Sequence, residues 1–463
     1  MTGNQAAPAG REYARLLQTP SAAQGRREPS RQIAASRLRT ALGHVLAATM
    51  FSAMALPVAA QSYDAPAAAL TGDAKFQAAT ASLDGDYDQI IADLITLTEI
   101  EAPPFKEEAR AQAYMEMLRA VGLSDVHMDE EGNVMGVRKG TGDGPLIAVA
   151  AHLDTVFPEG TNVKVRREGN VLHAPGIGDA TSSLPVLLAY VRAMDAAGYQ
   201  TRSDILFMGN VGEEGPGDLR GIRYLFNESS LKDSIKYFIS FEPGRGGRIT
   251  NGGVGSRRYK VTFSGPGGHS YGAFGTVSPA YAMADAMVQF GKLQVPQSPK
   301  TTFNVGLVEG GTSVNSIPFA MAMTVDMRSE DKDELDKEER SFLAILPEAV
   351  ARENAARSTA TGEISYEAEL VGNRPVGLTP MSADIVQIAT AAAKSLGFEP
   401  SYGRGSTDSN IPMSLGIPAI TLGSGFKTAR AHSLDESLTM DRASDVPNMA
   451  SGLATLLLLA GAQ

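Results

Sequence analysis

Short apolar runs alternating with helical stretches constrain this chain most, because strands and helices in alternation can bury a core in few ways. PLIAVAAHLDTVF reads as a buried strand, SSLPVLLAYVRAMDAAG as a helix stopped by Gly198, and DILFMGN and YFISFEP as further strands. Upstream, Ile90, Ile91, Leu94 and Leu97 recur at helical spacing, and a second helix runs from Ala111 to Val121. This alternation predicts an α/β layered, mostly parallel sheet. The character changes near Asn251. RRYKVTFSG alternates, SPAYAMADAMVQFGKL is helical, TTFNVGLVEGG and AMAMTVDMRSE are strand-like, and DKDELDKEERSFLAILPEAVARENAARS is a charged helix. That order fits a small split-βαβ layer. After Tyr366 the βα alternation resumes with SADIVQIATAAAKSLGF, IPAITLG and a closing helix near Asn448 to Ala460. The expected organisation is one α/β domain in two parts, 81–250 and 366–463, interrupted by an inserted α+β domain at 251–365. Residues 61–80, Ala-rich and polar, read as a linker.

The 463 residues exceed what one core usually supports, in keeping with two domains. Lys and Arg number 41 against 52 Asp and Glu, a net charge of −11, which argues against nucleic acid as the main partner. With no Cys, a disulfide framework, a thiol nucleophile and a thiolate metal site are excluded. Any transition-metal site must use His and carboxylates. Residues 1–40 carry seven Arg against Glu12 and Glu28, and ALGHVLAATMFSAMALPVAA follows, ending in Val58-Ala59-Ala60. Positive flank, apolar middle and small-x-small end form a secretory signal pattern. Pro57 and the alanine content weaken a membrane-anchor reading. Cleavage after Ala60 is expected, giving a periplasmic or secreted protein with no membrane attachment. The polar leader is long for such a signal, and a start codon downstream of Met1 would shorten it.

The histidines are His44, His127, His152, His173, His269 and His432. His152 ends the buried strand with Asp154 two positions on, on the same side of an extended segment. The imidazole can hold a metal while the carboxylate orients it, although a capped strand end reads the same way. Asp179 lies in the Gly-rich APGIGDATSS and reads equally as a helix N-cap. Glu213 and Glu214 follow an apparent strand, where adjacent acids repel unless a cation or solvent relieves them. Glu242 ends YFISFEP, and His432 sits in TARAHSLDE. Ligands in open α/β sheets gather at the carboxyl ends of the strands. Two His and three carboxylates suffice for two zinc ions sharing one Asp, and such a pair activates water. Glu213, the spare acid, could take the proton and return it to a leaving amine, which amounts to amide hydrolysis.

HLDTV, GIGDA, GEEG, FEP, GPGGHS and AHSLDE occur in the order found in zinc exopeptidases related to aminoacylase, carboxypeptidase G and tripeptidase T. The chain resembles that metallopeptidase family, M20, from about Tyr87 to its end. The resemblance implies a zinc-exopeptidase-like catalytic domain with His152 and Glu242 on one zinc, Glu214 and His432 on the other, and Asp179 between them. Co or Mn are the possible substitutes. It further implies Asp154 as the support of His152, Glu213 as general base and a cis Asp179-Ala180 peptide. The inserted domain resembles the family's lid and dimerisation domain, implying a homodimer in which His269 polarises the scissile carbonyl from across the interface. Outside the resemblance His269 is a turn histidine. Asn315 and Arg328 match substrate-holding positions, though Arg328 could equally pair with Glu330 and Asp331. Gly405, Ser406 and Thr407 match the pocket-lining loop, with Asp408 structural. Ala180-Thr181-Ser182-Ser183 departs from the Lys-Gly-Gly of many relatives, while His127 and His173 match no metal motif.

The leading expectation is an exported di-zinc exopeptidase acting on short peptides. An N-acyl-amino-acid amidohydrolase would use the same metal chemistry. A non-catalytic binding module should lack a ligand or the base, yet all are present. GHSYG fits a serine-nucleophile pattern, but GPGG separates the strand from Ser270 and the next helix begins only near Ser278. GRGGRITNGGVGS lacks the Gly-Lys-Ser/Thr ending of a phosphate loop.

Overall fold

The computed structural model describes residues 62–463; the leader and the expected cleavage point lie outside the described residues. Helices α1 (Asp64–Gly72), α2 (Ala74–Gly85), α3 (Tyr87–Thr98) and α4 (Glu108–Ala120) come first. Next are β1 (Ser124–Met128), β2 (Val134–Arg138), β3 (Leu146–His152), β4 (Arg166–Glu168) and β5 (Val171–His173). Then follow α5 (Leu184–Ala196), β6 (Ile205–Asn210), α6 (Arg220–Asn227), β7 (Ile235–Glu242) and β8 (Arg248–Gly253). The insertion supplies β9 (Gly255–Ser264), β10 (Gly268–His269), α7 (Pro279–Phe290), β11 (Thr301–Gly310), β12 (Ser316–Ile317), β13 (Ala320–Ser329), α8 (Lys332–Ala356) and β14 (Ser365–Arg374). The chain continues through β15 (Gly377–Leu378), α9 (Asp384–Ser395), β16 (Ser401–Gly405) and α10 (Asn410–Ser414). It closes with β17 (Ala419–Gly423), β18 (Lys427–Ala429), β19 (Ser437–Thr439) and α11 (Arg442–Leu459).

The main sheet runs β1-β2-β6-β3-β7-β17-β8-β15, with β16 beside β8. It is parallel from β6 to β17 and antiparallel on both flanks apart from the parallel β16–β8 pair. β6 is buried along its whole length and β3 along nearly all of it, as expected where helices cover both faces of a parallel sheet. β3 pairs β6 so that His152 faces Asn210, and β17 pairs β7 so that Gly423 faces Glu242. The carboxyl ends of these strands therefore share one edge. A small sheet, β18-β19-β5-β4, brings the segment around His432 beside the approach to Asp179.

From residue 62 on, the segment read as a linker is helical, forming α1 and the first part of α2. Alanine is the strongest helix former, Asp73 caps α2 by accepting the Lys75 N–H at 2.7 Å, and Phe76, Ala79 and Leu83 form a buried stripe. That stripe packs on α5 and α11. The inserted sheet, β11-β13-β9-β14, is antiparallel, with α7 and α8 packed on it, and follows the split-βαβ order. Its core includes Val261, Phe263, Phe290, Met327 and Phe342. The sheet extends to Arg374, so the boundary expected at 365 falls on the first residue of its last strand. β14 is an edge strand, largely exposed on both faces, whose alternation is confined to Tyr366, Ala368 and Leu370 between Glu367 and Glu369. Among the described residues no helix is long and apolar enough to cross a membrane.

Candidate active site

His152 ends β3 with Nδ1 at 2.9 Å from the Asp154 carbonyl and 3.6 Å from its carboxylate. A carbonyl only accepts, so Nδ1 carries the proton and Nε2 presents its lone pair. Nε2 faces Asp179 Oδ1 at 3.4 Å and Glu242 Oε2 at 3.8 Å. His432 Nε2 faces Asp179 Oδ2 at 3.1 Å and Glu214 Oε1 at 2.8 Å. The two oxygens of Asp179 are thus divided between a His152/Glu242 nest and a His432/Glu214 nest. Ligand atoms of His152, Asp179 and Glu214 all lie within 4.8 Å of one another. The donors are imidazole nitrogen and carboxylate oxygen, the set that suits zinc and its close substitutes.

The electrostatics point the same way. Burial pushes the Glu242 carboxyl well above its ordinary range, aided by Asp179, Glu213 and Asp408 and opposed by His152. Glu213 is pushed up to about 8 by burial and Glu214, with Arg374 pulling it down. Hydrogen bonds to Asp179 and Glu214 raise His432 to about 10. Carboxylates gathered at this density repel unless a cation sits among them. The residues therefore fit a metal.

A surrounding ring orients the nests. The Asp154 carboxylate accepts the N–H groups of Glu213 at 3.0 Å and Glu214 at 2.8 Å, so it supports the acid pair as well as His152. Glu436 accepts from Gly176, Gly178 and Asp179, each at 2.9 Å, and holds the loop whose Asp179-Ala180 peptide is cis. A side chain at Gly178 would meet Glu436 Oε1 at 2.7 Å. Arg374 donates to Glu213 Oε1 at 3.1 Å and to the Glu213 carbonyl. Sequence reading missed Arg374 and the role of Glu436, since neither has a local partner; only the place of Glu436 within AHSLDE hinted at it.

A cavity of about 540 Å³ opens on the nests, lined by Asp179, Glu213, Glu214, Glu242 and His432, by Arg248, Arg258, Arg328 and Arg374, and by Ser406 and Thr407. Arg258 and Arg328 share Asp326 at 3.0 and 2.7 Å, so Arg328 does not pair with Glu330 or Asp331. Gly405 stands behind this wall, where its carbonyl accepts the Val254 N–H. His269 and Asn315 do not line the cavity. They lie exposed together on the inserted domain, where β10 pairs β12 and the Ser270 N–H donates to the Asn315 carbonyl at 2.9 Å. His127 is exposed on β1, and His173 on β5 faces Glu168 at 3.6 Å.

A split-sheet domain inserted into an α/β domain, above clustered His and carboxylates at the strand ends, describes a metal-dependent hydrolase. The sequence profile of Peptidase family M20/M25/M40 matches residues 148–459, more than half of the chain, and the chain belongs to that family. It is 27% identical over 420 residues to carboxypeptidase G2 from Pseudomonas sp. (strain RS-16), covering 86% of this chain and 94% of that one. A succinyl-diaminopimelate desuccinylase from Leptothrix cholodnii is 25% identical, covering 68% of this chain and 82% of its own. A shorter match, 38% identical over 128 residues, covers 28% of this chain and 34% of a putative LysW-lysine/LysW-ornithine hydrolase from Pyrococcus abyssi. Among solved structures, aminopeptidase PepT from Bacillus cereus superposes with a TM-score of 0.63 at 19% identity, covering 81% of this chain and 97% of that one. The protein is thus an M20 peptidase or amidohydrolase of exopeptidase type.

Proposed function

We propose that this protein is an exported di-zinc exopeptidase that cleaves short peptides bearing a free carboxylate. The observation that carries the reading is the division of the two Asp179 oxygens between two His/Glu nests. His152 and Glu242 would hold one zinc, Glu214 and His432 the other, and Asp179 both. Zinc bound there would supply Lewis acidity to the scissile carbonyl and ease deprotonation of a water. Glu213, on the cavity wall, takes that proton and passes it to the leaving amine. Asp154 keeps the His152 proton on Nδ1. Arg258 and Arg328 offer paired guanidinium groups suited to a carboxylate, which favours an end-reading enzyme. The likeness to carboxypeptidase G2 supports the same end.

Removal of an acyl group from an amino acid is the second reading, supported by the same guanidinium groups and by the desuccinylase relative. A homodimer is supported by the exposed apolar residues of the inserted domain, Leu307 and Val308 on edge strand β11 and Tyr271, Phe274, Val314 and Phe319 nearby. His269 and Asn315 lie on that domain outside their own cleft, which suits a role in the other subunit's site. Export rests on the leader pattern alone.

The test is a mixed panel of dipeptides, tripeptides and N-acyl amino acids, read by mass spectrometry with a chelated sample alongside, and metal content measured on the same protein. Chelator-sensitive cleavage of peptides with two zinc ions per chain is expected. Cleavage of acyl amino acids alone would move the protein to the deacylases. Bound zinc without cleavage would make it a binding module.

A further inference from the structure

The segment Val211–Leu219, after β6, carries Glu213 and Glu214, and it is held from both domains. At its start it belongs to the α/β domain: the Val211 N–H donates to the Asn133 side chain at 3.1 Å, and Asp154 takes the N–H groups of the acid pair. Its middle and end are held by the inserted domain. Arg374, the last residue of β14, grips both the carboxylate and the carbonyl of Glu213 with one guanidinium and also reaches Ser406 Oγ at 3.3 Å. Arg258 on β9 donates to the Gly215 carbonyl at 3.2 Å. The Asn373 N–H donates to both oxygens of Asp218 at 3.0 and 3.1 Å, and Arg223 ties that carboxylate at 3.0 Å to the Asn373 carbonyl. Asp218 and Leu219 are left-handed at φ 50° and 63°, a conformation that non-glycine residues keep only when their surroundings hold it.

We propose that Arg374 and Asp218 are positioning residues that transmit the orientation of the inserted domain to Glu213, so that the base is aimed only when β9 and β14 stand over the loop. A single guanidinium holding both the main chain and the side chain of Glu213 fixes its direction as well as its place. The Arg374 and Glu213 side chains are 5% and 7% exposed, so this contact is shielded from solvent. A rim ion pair would be screened and would tolerate small shifts; this one moves with the strand that carries it. The proposal rests on Glu213 being the base.

The test uses the full-length, zinc-loaded protein with Arg374→Met, Arg374→Lys, Asp218→Asn, Glu213→Gln and the Arg374→Met/Glu213→Gln double variant. Turnover, KM, bound zinc and amide hydrogen exchange across 211–219 are measured on each. Arg374→Met should lower kcat by about 10²-fold with KM held within about threefold, the cost of a misaimed group. Arg374→Lys should recover to within about tenfold of wild type, and Arg374→Met should cost nothing further in the Glu213→Gln background. Asp218→Asn should speed exchange of the loop amides and lower kcat by about tenfold with zinc unchanged. Near-normal turnover in Glu213→Gln would overturn the base assignment and this proposal with it. With turnover in that variant cut to a small measurable remainder as expected, three results would overturn the proposal alone: a raised KM at constant kcat, an undiminished Arg374 effect in the double variant, or unaltered loop exchange in Asp218→Asn.

Discussion

At the scale of single residues, Asp154 shows how few groups set the geometry. Its carbonyl fixes the His152 tautomer and its carboxylate receives two backbone N–H groups from the Glu213–Glu214 step. Asp154→Asn must turn an amide N–H₂ toward one of those donors, leaving it unpaired in a buried place. Zinc affinity should fall by about 10- to 100-fold, the usual cost of a lost outer partner, as read by competition with a chromophoric chelator; unchanged affinity would assign Asp154 to packing alone. The metal-site candidates were legible because His and acids at strand ends need a reason to be there. Arg374 and the role of Glu436 were not, since their partners lie 161 and about 260 positions away in the chain, and only the place of Glu436 within AHSLDE hinted at it. Glu338 on α8 is another residue that only the fold exposes. It is 4% exposed, and among the described residues neither oxygen has a hydrogen-bond partner. Burial, with Asp326 and Glu334 nearby, pushes its carboxyl up to about 8. The folded chain therefore keeps a proton that the unfolded chain releases near its ordinary value of 4.5, and stability drains away as pH rises between the two. Glu338→Gln should match wild type below pH about 4.5 and gain about 2 kcal/mol by pH 9, discounted for water reaching the helix. Thermal melts across that range check it; a gain independent of pH would mean packing, not charge.

At the scale of elements, periodicity carried the reading where an element has one buried stripe or two covered faces. The β3 and β6 runs are apolar throughout because helices cover both sides of the sheet, and α5 announces itself with Leu184 to Met194. β14 was missed because its alternation runs only from Tyr366 to Leu370 and most of the strand is exposed on both faces. α1 and α2 were missed for another reason: alanine supplies both their propensity and much of their contact surface, and an Ala-rich, polar composition looks like a tether. Phe76 is the residue that distinguishes the two. It is buried to 2% in the main core, so Phe76→Ala should cost about 3 kcal/mol, seen as a lower urea midpoint with an unchanged slope. A cost near zero would return the described part of the expected linker, residues 62–80, to the status of a tether. Bound zinc should be unchanged, since the loss acts through packing on α5 and α11, away from the strand ends that carry the cluster.

At the scale of the whole molecule, the interrupted α/β plan was visible in the change of rhythm near Asn251, and Arg328 was marked by the family resemblance, but the places of Arg258 and Arg374 on the cleft were not. Placement decides this: Arg258, Arg328 and Arg374 reach the cavity from β9, β13 and β14, whereas His269 and Asn315 sit at the far end of the same domain. Tyr271 and Phe274 beside His269 are 89% and 91% exposed, surface that a second copy would cover. If His269 serves the neighbouring site of a two-fold dimer, two inactive variants should complement. Glu213→Gln lacks the base and His269→Ala lacks the carbonyl partner, so in a mixed dimer one site is missing both groups and the other is intact. Equal mixing followed by subunit exchange yields half mixed dimers, each with one working site in two, and activity should return to about a quarter of wild type. Residual activity equal to the sum of the parents would place His269 in its own chain's cycle or outside catalysis. Leu307→Arg on β11 should abolish the complementation while leaving folding intact, because it charges the edge through which the copies would meet and touches nothing in the cleft.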